Sequence, residues 1–561
     1  MRNLSTLLGA LALGAFLAAP AHALDVKSST TPGAVPAITG PDALGDREVA
    51  TNRADGRLFW KKPNGTLGTS TLLNALPSGR KAVEQGDGSD LSFTVPRTGG
   101  IARSAAQRLL DVVNVRDHEV KCDYSTDDTV KLQEALDAVH PVYGGDVWIP
   151  QGGCFITAPL RIRRPLTSLR GAGQFVSQII TNSSTFNAIE IEASYVRIEE
   201  LRIAQYGSPT ATQVWAIHDN TAGGSADLVI RNVEIGGGHS GIYSKGGRTN
   251  FWRPKITNIA PGTGVGIQLD GPAEARDIYA PYMENPGGQD AKAGIYITGG
   301  AGILLTGCQL QKMGSPLWVH PGPDFVVTSI ISTGCYYDTS SGPSVFLDAG
   351  PDNTRAITNV SFNGSWLGSN SIGLKIKGVT SGVHLANSEI YGNSGVGIDT
   401  SEAVAVDGFQ VTGSQIAGNG GAAILLGNNL QRITIAGNLI GPAGKWGPNG
   451  SGITIGTGVD YSMVVGNNLS ANTGAALTNN STATHNLIVS NNDGRGTLML
   501  GTPLLPTTST MGFPYMPVIL GTPTGTPSFV SGAAPFAVAG SGQRLWVYIN
   551  GGWKYAPLLD P

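Results

Sequence analysis

The sequence predicts an all-β chain wound into a parallel solenoid, and three observations carry that prediction. One phrase recurs from about Gly241 onward: a short β-branched run, a small or amide residue, one free position, one apolar residue, then a Gly/Asn-rich loop. Its phase is marked by Cys308, Cys335, Ser365, Ser388, Ser414, Asn438, Asn467 and Asn491, at spacings of 27, 30, 23, 26, 24, 29 and 24 residues. Composition agrees, with 79 glycines in 561 residues and only 14% charged residues, against about 7% and about 25% in ordinary soluble proteins. A period in the twenties with short strands suits one coil of a β-solenoid, where stacking buries what no coil buries alone. Leucine-rich repeats share the period, but their dense leucine pattern is missing.

Stacked coils bring strands about 4.8 Å apart, so the marked residues should form an internal ladder of Cys, Ser and Asn. The first coil needs a cap over its apolar end. Asp127 to Val139 reads as a capping helix, with Asp127 or Asp128 as N-cap and Val130, Leu132, Leu136 and Val139 on its apolar side. Gly145-Asp-Val-Trp-Ile-Pro150 then reads as a strand.

The ends differ from the middle. Met1-Arg2, the apolar run Leu4 to Ala19 and Ala21-His22-Ala23 form an export signal with cleavage after Ala23. No later segment has the roughly 20 unbroken apolar residues of a membrane helix, so the mature protein is expected to be secreted and free of the membrane. A net charge of −3 offers no basic field for nucleic acid. The expected organisation is a signal peptide (1–23), an N-terminal extension (24–110), the solenoid (111–500), and a linker with a small β-module (501–561).

Four segments then occur in order: Val113 to Thr129, the capping helix, Val147-Trp-Ile-Pro-Gln-Gly-Gly153 and Leu169-Arg-Gly-Ala-Gly173. Together they resemble the opening of the pectate-lyase-like right-handed parallel β-helix proteins. That superfamily includes polysaccharide lyases, glycoside hydrolases and phage tailspike depolymerases. The likeness spans about residues 111 to 175 by motif and the coils to about 500 by pattern. It departs from the usual Gly-Asp-Gly before the aspartate pair, having Cys122-Asp-Tyr124 instead. It implies the fold more than the reaction, because sites on this scaffold differ widely. Asp46 to Thr66 is similar to a hairpin element of tail fibres, and Arg544 to Lys554 to their short terminal β-modules, with Asn550-Gly551 as a hairpin turn. A tailspike relationship would imply a homotrimer, whereas the export signal points to a bacterial secreted relative.

The repeat phase also says which residues face outward, because side chains alternate along a strand. One column reads Glu234, Lys255, Tyr282, Gln309, Tyr336, Trp366, Glu389, Gln415; the next reads Thr257, Glu284, Gln311, Asp338, Gly368, Tyr391. Flat rings that pack on sugar faces, with amides and carboxylates for hydroxyls, make a carbohydrate groove. Lys255, Tyr282, Gln309, Gln311, Tyr336, Trp366 and Tyr391 are its expected substrate contacts. Glu284 and Asp338 lie two coils apart, with backbones about 10 Å apart, near the upper end of the carboxylate spacing of inverting glycosidases. Glu389 is a substitute for either.

The alternative chemistry is β-elimination on a uronic-acid polymer, with Lys255, Tyr282, Tyr336, Tyr391, Arg253 and Arg276 as pieces. Hydrolysis needs no cofactor; elimination would bring in calcium, although no dense aspartate cluster stands out on this face. Asp270, Glu274, Asp277 and Asp290 read as one long loop beside the groove. His320, His384 and His485 lack metal-ligand spacing, so no metal site is expected. A spike or adhesin that only binds glycan is the non-enzymatic reading. Cys122 and Cys154 flank the cap and are placed to pin it. Cys308 and Cys335 share a column within disulfide reach, at about 5 Å between Cα atoms, with stacked free thiols as the alternative.

Overall fold

The computed structural model describes residues 112–492 apart from 184, 208–213, 220, 222–226, 273, 286–289, 324, 351–355 and 484. Outside that stretch it describes a few residues and short strands between 26 and 104 and between 498 and 557. The chain divides between Leu110 and Asp111 into two units.

In the second unit each coil lays down three strands. Val265–Leu269, Glu274–Tyr279 and Tyr282–Glu284 make one turn; Ala291–Ile297, Gly300–Thr306 and Gln309–Gln311 make the next. Equivalent strands of successive coils pair in parallel, giving the parallel β-solenoid that the repeat predicted. Register partners run Lys255, Tyr282, Gln309, Tyr336, Trp366 on one sheet. They run Gln268, Tyr296, Trp318, Phe346 on a second and Phe251, Ile278, Leu305, Ser332, Phe362 on a third. Strand alternation sets the core: Ile256, Met283, Leu310, Leu367 and Ile390 are buried between outward neighbours. Ser332 interrupts an apolar column because Tyr337, wholly buried beside it, needs a partner for its hydroxyl; the two oxygens are 2.8 Å apart.

Two internal polar ladders close the corners on either side of the first sheet. In the expected one, each side chain accepts the backbone N–H of its equivalent one coil earlier: Ser388 from Ser365, Ser414 from Ser388, Asn438 from Ser414, Asn467 from Asn438, Asn491 from Asn467. The second, Ser340, Asn370, Asn393, Asn419 and Asn449, works the same way. A corner leaves backbone groups that no strand can pair, and a short amide supplies an acceptor and two donors to meet them.

The capping helix, α1, spans Thr129–Asp137. Leu132, Leu136 and Val139 are buried, but Val130 is 67% exposed. Two positions before Leu132, at 100° per residue, it falls on the opposite side of the helix. Asp128 is the N-cap residue but does not cap with its side chain; its carboxylate accepts the N–H groups of Lys121 and Cys122, both at 2.8 Å. Asp127 accepts the Thr129 N–H instead, at 3.0 Å. A disulfide joins Cys122 to Cys154, with 3.7 Å between Cα atoms, and a second joins Cys308 to Cys335, with 4.3 Å. Cys122 and Tyr124 have φ of 47° and 71°, the left-handed backbone that glycines adopt at no steric cost, which is what the usual Gly-Asp-Gly would supply.

In the first unit, Val49–Asn52, Arg57–Lys61 and Leu67–Thr71 pair antiparallel, with Ala50 and Phe59 buried against Leu67. Near the C-terminus, Arg544–Ile549 and Gly552–Pro557 pair antiparallel, Ile549 opposite Gly552. The expected export signal, the expected Asn550-Gly551 turn and most of the expected Gly501 to Ser528 linker lie outside the described residues.

Candidate functional site

The outward columns of the first sheet stand as the repeat phase placed them. Glu234 pairs with Lys255, and Thr257 with Glu284; Gln311 lies between Glu284 and Asp338 in register. Among the described residues register holds at Leu269, Glu274–Tyr279 and Tyr282–Glu284, and Glu274 and Asp277 sit on the strand Glu274–Tyr279, not in one long loop. An inward arginine hid that strand. Arg276 is completely buried, donating to the backbone carbonyls of Gly246 and Asp270. Its burial lowers the guanidinium to about 10, and it cannot reach a substrate as elimination chemistry required.

Glu284 is half-buried, with one carboxylate oxygen taking the Lys312 ammonium at 2.8 Å and the other taking the Tyr282 hydroxyl. These bonds hold its carboxyl below the usual range, the lysine contributing most. Tyr282 moves the other way, its phenol raised chiefly by the bond to Glu284 and then by burial. Asp338 is also half-buried, and its Oδ1 has no hydrogen-bond partner among the described residues. Glu389 lies elsewhere: it is exposed and stands in the column of Tyr336 and Trp366, two coils beyond Tyr336.

Lys255 is already engaged, 3.6 Å from the buried Glu234 carboxylate and 5.3 Å from the Phe175 ring centroid. It shares a shallow cleft of about 350 Å³ with Gln174, Asn232, Arg253, Tyr282 and Gln309. At the other end of the face Tyr336 is exposed and stacks with Trp366, ring centroids 6.0 Å apart and 15° from coplanar. Tyr391 is not a surface contact. It is 5% exposed, covered by Trp366 at 5.3 Å and Trp446 at 5.8 Å. Its hydroxyl donates to Gln415, and burial raises its phenol to about 12. Trp446 was missed because it lies in a loop insertion, Gly441-Pro-Ala-Gly-Lys-Trp-Gly447, which strand periodicity cannot place. A bulky aromatic between glycines was the available signal.

Gly392 makes room for that tryptophan. Its φ is +61°, and a Cβ there would lie 2.3 Å from the Trp446 ring. Gly392→Ala is therefore expected to displace Trp446, uncover Tyr391 and shift the tryptophan fluorescence, which an emission spectrum checks.

One acid–thiol cluster, Cys122, Asp128 and Cys154, meets a metal-like spacing among the described residues. Its sulfurs are bonded to each other and its carboxylate is taken by backbone N–H groups, so it has no ligands to give. His320 has Nδ1 3.2 Å from the Asp348 carboxylate. His485 likewise faces Asp460 at 3.1 Å.

No protein-family model matches the sequence, and no curated protein matches it. Among solved structures, gene product 12 of bacteriophage phi29, in a pre-mature form, shares 13% identity at a TM-score of 0.50, over 73% of this chain and 60% of that one. Together with the register of every described coil, that settles the fold. The chain folds as a parallel β-helix. The AlgE6 A-module of Azotobacter vinelandii, a mannuronan C-5 epimerase, is 18% identical at a TM-score of 0.40, over 68% of this chain and 98% of that one. Tailspike protein 3 of bacteriophage CBA120 is 12% identical at 0.43, over 98% and 87%. No helix among this β-helix's described residues is long and apolar enough to cross a membrane.

Proposed function

We propose that this β-helix binds a polysaccharide along the outward columns of its first sheet and hydrolyses it there. One observation carries the reading: Glu284 and Asp338 face the same way on strands two coils apart, with Gln311 between them. Two steps of about 4.8 Å separate their backbones by about 10 Å, and inverting glycosidases hold their carboxyls about 6.5–9.5 Å apart to admit a water. Glu284, kept ionised by Lys312 and Tyr282, suits the base that takes the proton from that water. Asp338 is left as the acid that protonates the departing glycosidic oxygen. Tyr336 and Trp366, on the neighbouring outward column, would stack sugar rings beside the reacting bond. The elimination reading is weaker on this face, since Lys255 is paired, Tyr282 is raised rather than lowered and Arg276 is buried. The export signal would carry the enzyme to a glycan outside the cytoplasm.

The test is incubation with a panel of neutral and acidic bacterial and plant polysaccharides, reading new reducing ends together with ultraviolet absorbance of unsaturated uronic acid. Reducing ends alone support hydrolysis. Both signals overturn it in favour of elimination, and binding with neither signal makes the protein a glycan-binding spike.

The charge arrangement also fixes a pH dependence. Lys312→Met removes the main group holding the Glu284 carboxyl down, so that carboxyl should rise toward the ordinary glutamate value of 4.5. The acid limb of kcat/KM should move to higher pH while the alkaline limb stays in place. The stability linkage has the same sign: a lowered carboxyl stabilises the fold above its unfolded value, and that contribution is lost as pH falls through the folded one. Lys312→Met should accordingly flatten the acid side of the Tm–pH curve.

A further inference from the structure

A second outward column lies on the second sheet, away from the candidate site. Tyr296, Trp318 and Phe346 are register partners on consecutive coils. Trp318 lies 5.4 Å from both neighbours, 23° from coplanar with Phe346. All three rings are half-exposed, so they form a continuous strip about 10 Å long from the strand spacing. Residues facing water on a sheet need no such stacking, and a strip of rings is the surface that sugar C–H faces pack on.

The charges beside the strip decide what kind of sugar. Lys375 is 2.6 Å from Glu402, and Lys377 and His320 both reach Asp348, at 3.8 and 3.2 Å. Lys292 is different. Its ammonium sits 4.3 Å from the Tyr296 ring centroid and 5.1 Å from that of Trp318, and no carboxylate among the described residues lies within ion-pair distance. It is half-buried, and burial lowers its amine below the usual range. The side chain next to it across the sheet is absent, because that position is Gly314, between the paired residues Met313 and Ser315. A half-buried cation over aromatic rings, with no acidic partner among the described residues, is complementary to a carboxylate brought by the occupant.

We propose that Tyr296, Trp318 and Phe346, with Lys292, form a second carbohydrate-binding face selective for an acidic polysaccharide, the rings stacking its sugars and the ammonium meeting a uronate carboxylate. This goes beyond the hydrolytic reading of the first sheet and does not depend on it. It would hold an acidic polymer on one side of the cylinder while the other side works on the same or another chain, raising the local substrate concentration as a linked module does.

The test uses the full-length protein in affinity electrophoresis and calorimetry with polygalacturonate, alginate and hyaluronate, with methyl-esterified polygalacturonate and dextran as uncharged controls. The expected result is binding to at least one acidic polymer that weakens tenfold or more in Lys292→Met, a change that keeps the apolar stem. Lys292→Arg should retain it, and Trp318→Ala should lose it. Equal binding of the methyl ester, full affinity in Lys292→Met, or no binding of any acidic polymer at millimolar sugar overturns the proposal. Light scattering covers the remaining occupant: if Trp318→Ala turns an oligomer into a monomer, the strip is an interface between copies of this chain, and the proposal fails.

Discussion

Glu284→Gln and Asp338→Asn should each cut the release of reducing ends by roughly 10²–10⁴-fold, the usual worth of a positioned acid or base, while leaving oligosaccharide affinity within about threefold. Both replacements keep the shape of the side chain, so the loss would be one of proton transfer. Their failures should differ in kind. Glu284→Gln removes the base, and an external nucleophile such as azide, needing no deprotonation, should restore turnover. Asp338→Asn removes the acid, so substrates with a good leaving group, which need no protonation, should suffer far less than the polysaccharide. The double variant should be little worse than the poorer single one, because residues acting on one transition state are not additive. Glu389→Gln, exposed and in the other column, should stay near wild-type turnover. If Glu284→Gln and Asp338→Asn both keep full activity, the pair is not the catalytic machinery, and Glu389→Gln becomes the variant to follow.

The second large effect concerns the fold. Asn438→Ala should destabilise the β-helix by on the order of 3–5 kcal/mol, because three groups lose partners at about 1–3 kcal/mol each. The Asn438 amide donates to the Val411 carbonyl and the Asn467 side chain, both at 2.9 Å, and accepts the Ser414 N–H, also at 2.9 Å. All of them are buried, so water cannot take the place of the amide. Asn438→Asp should be nearly as damaging: it keeps the acceptor but loses both donated bonds and buries a charge. Gln410→Ala, on an outward position of the same coil region, should stay within about 0.5 kcal/mol. Urea unfolding followed by far-ultraviolet circular dichroism measures all three. An Asn438→Ala loss no larger than that of Gln410→Ala would mean the ladder is dispensable.

The ladder also shows how much was legible in advance. Small and amide residues recurring every 23 to 30 positions reveal the coil, because a turn that must satisfy the same corner groups each time selects the same side chains. From that phase the two outward columns follow residue by residue, including both carboxylates and the Tyr336–Trp366 stack. The second ladder, Ser340, Asn370, Asn393, Asn419 and Asn449, repeats at 30, 23, 26 and 30 residues, so it was as legible in the spacing as the first and was missed. Val130 and Arg276 failed for opposite reasons. One is an apolar residue on the wet side of a helix, the other a charged residue inside the cylinder, where carbonyls take its protons.

The sequence by itself determined the coil, its register and which side chains look outward, because strand alternation and stacking are local rules repeated many times. Only the tertiary structure decided which outward residues stay available. Tyr391 is covered by a tryptophan from a distant loop, Lys255 is spent on Glu234, Glu284 is set by Lys312 one coil on, and Lys292 meets no carboxylate among the described residues. Those outcomes depend on side chains separated by a coil or more meeting in space, and distances of a few ångströms across coils are written in no single stretch of the chain.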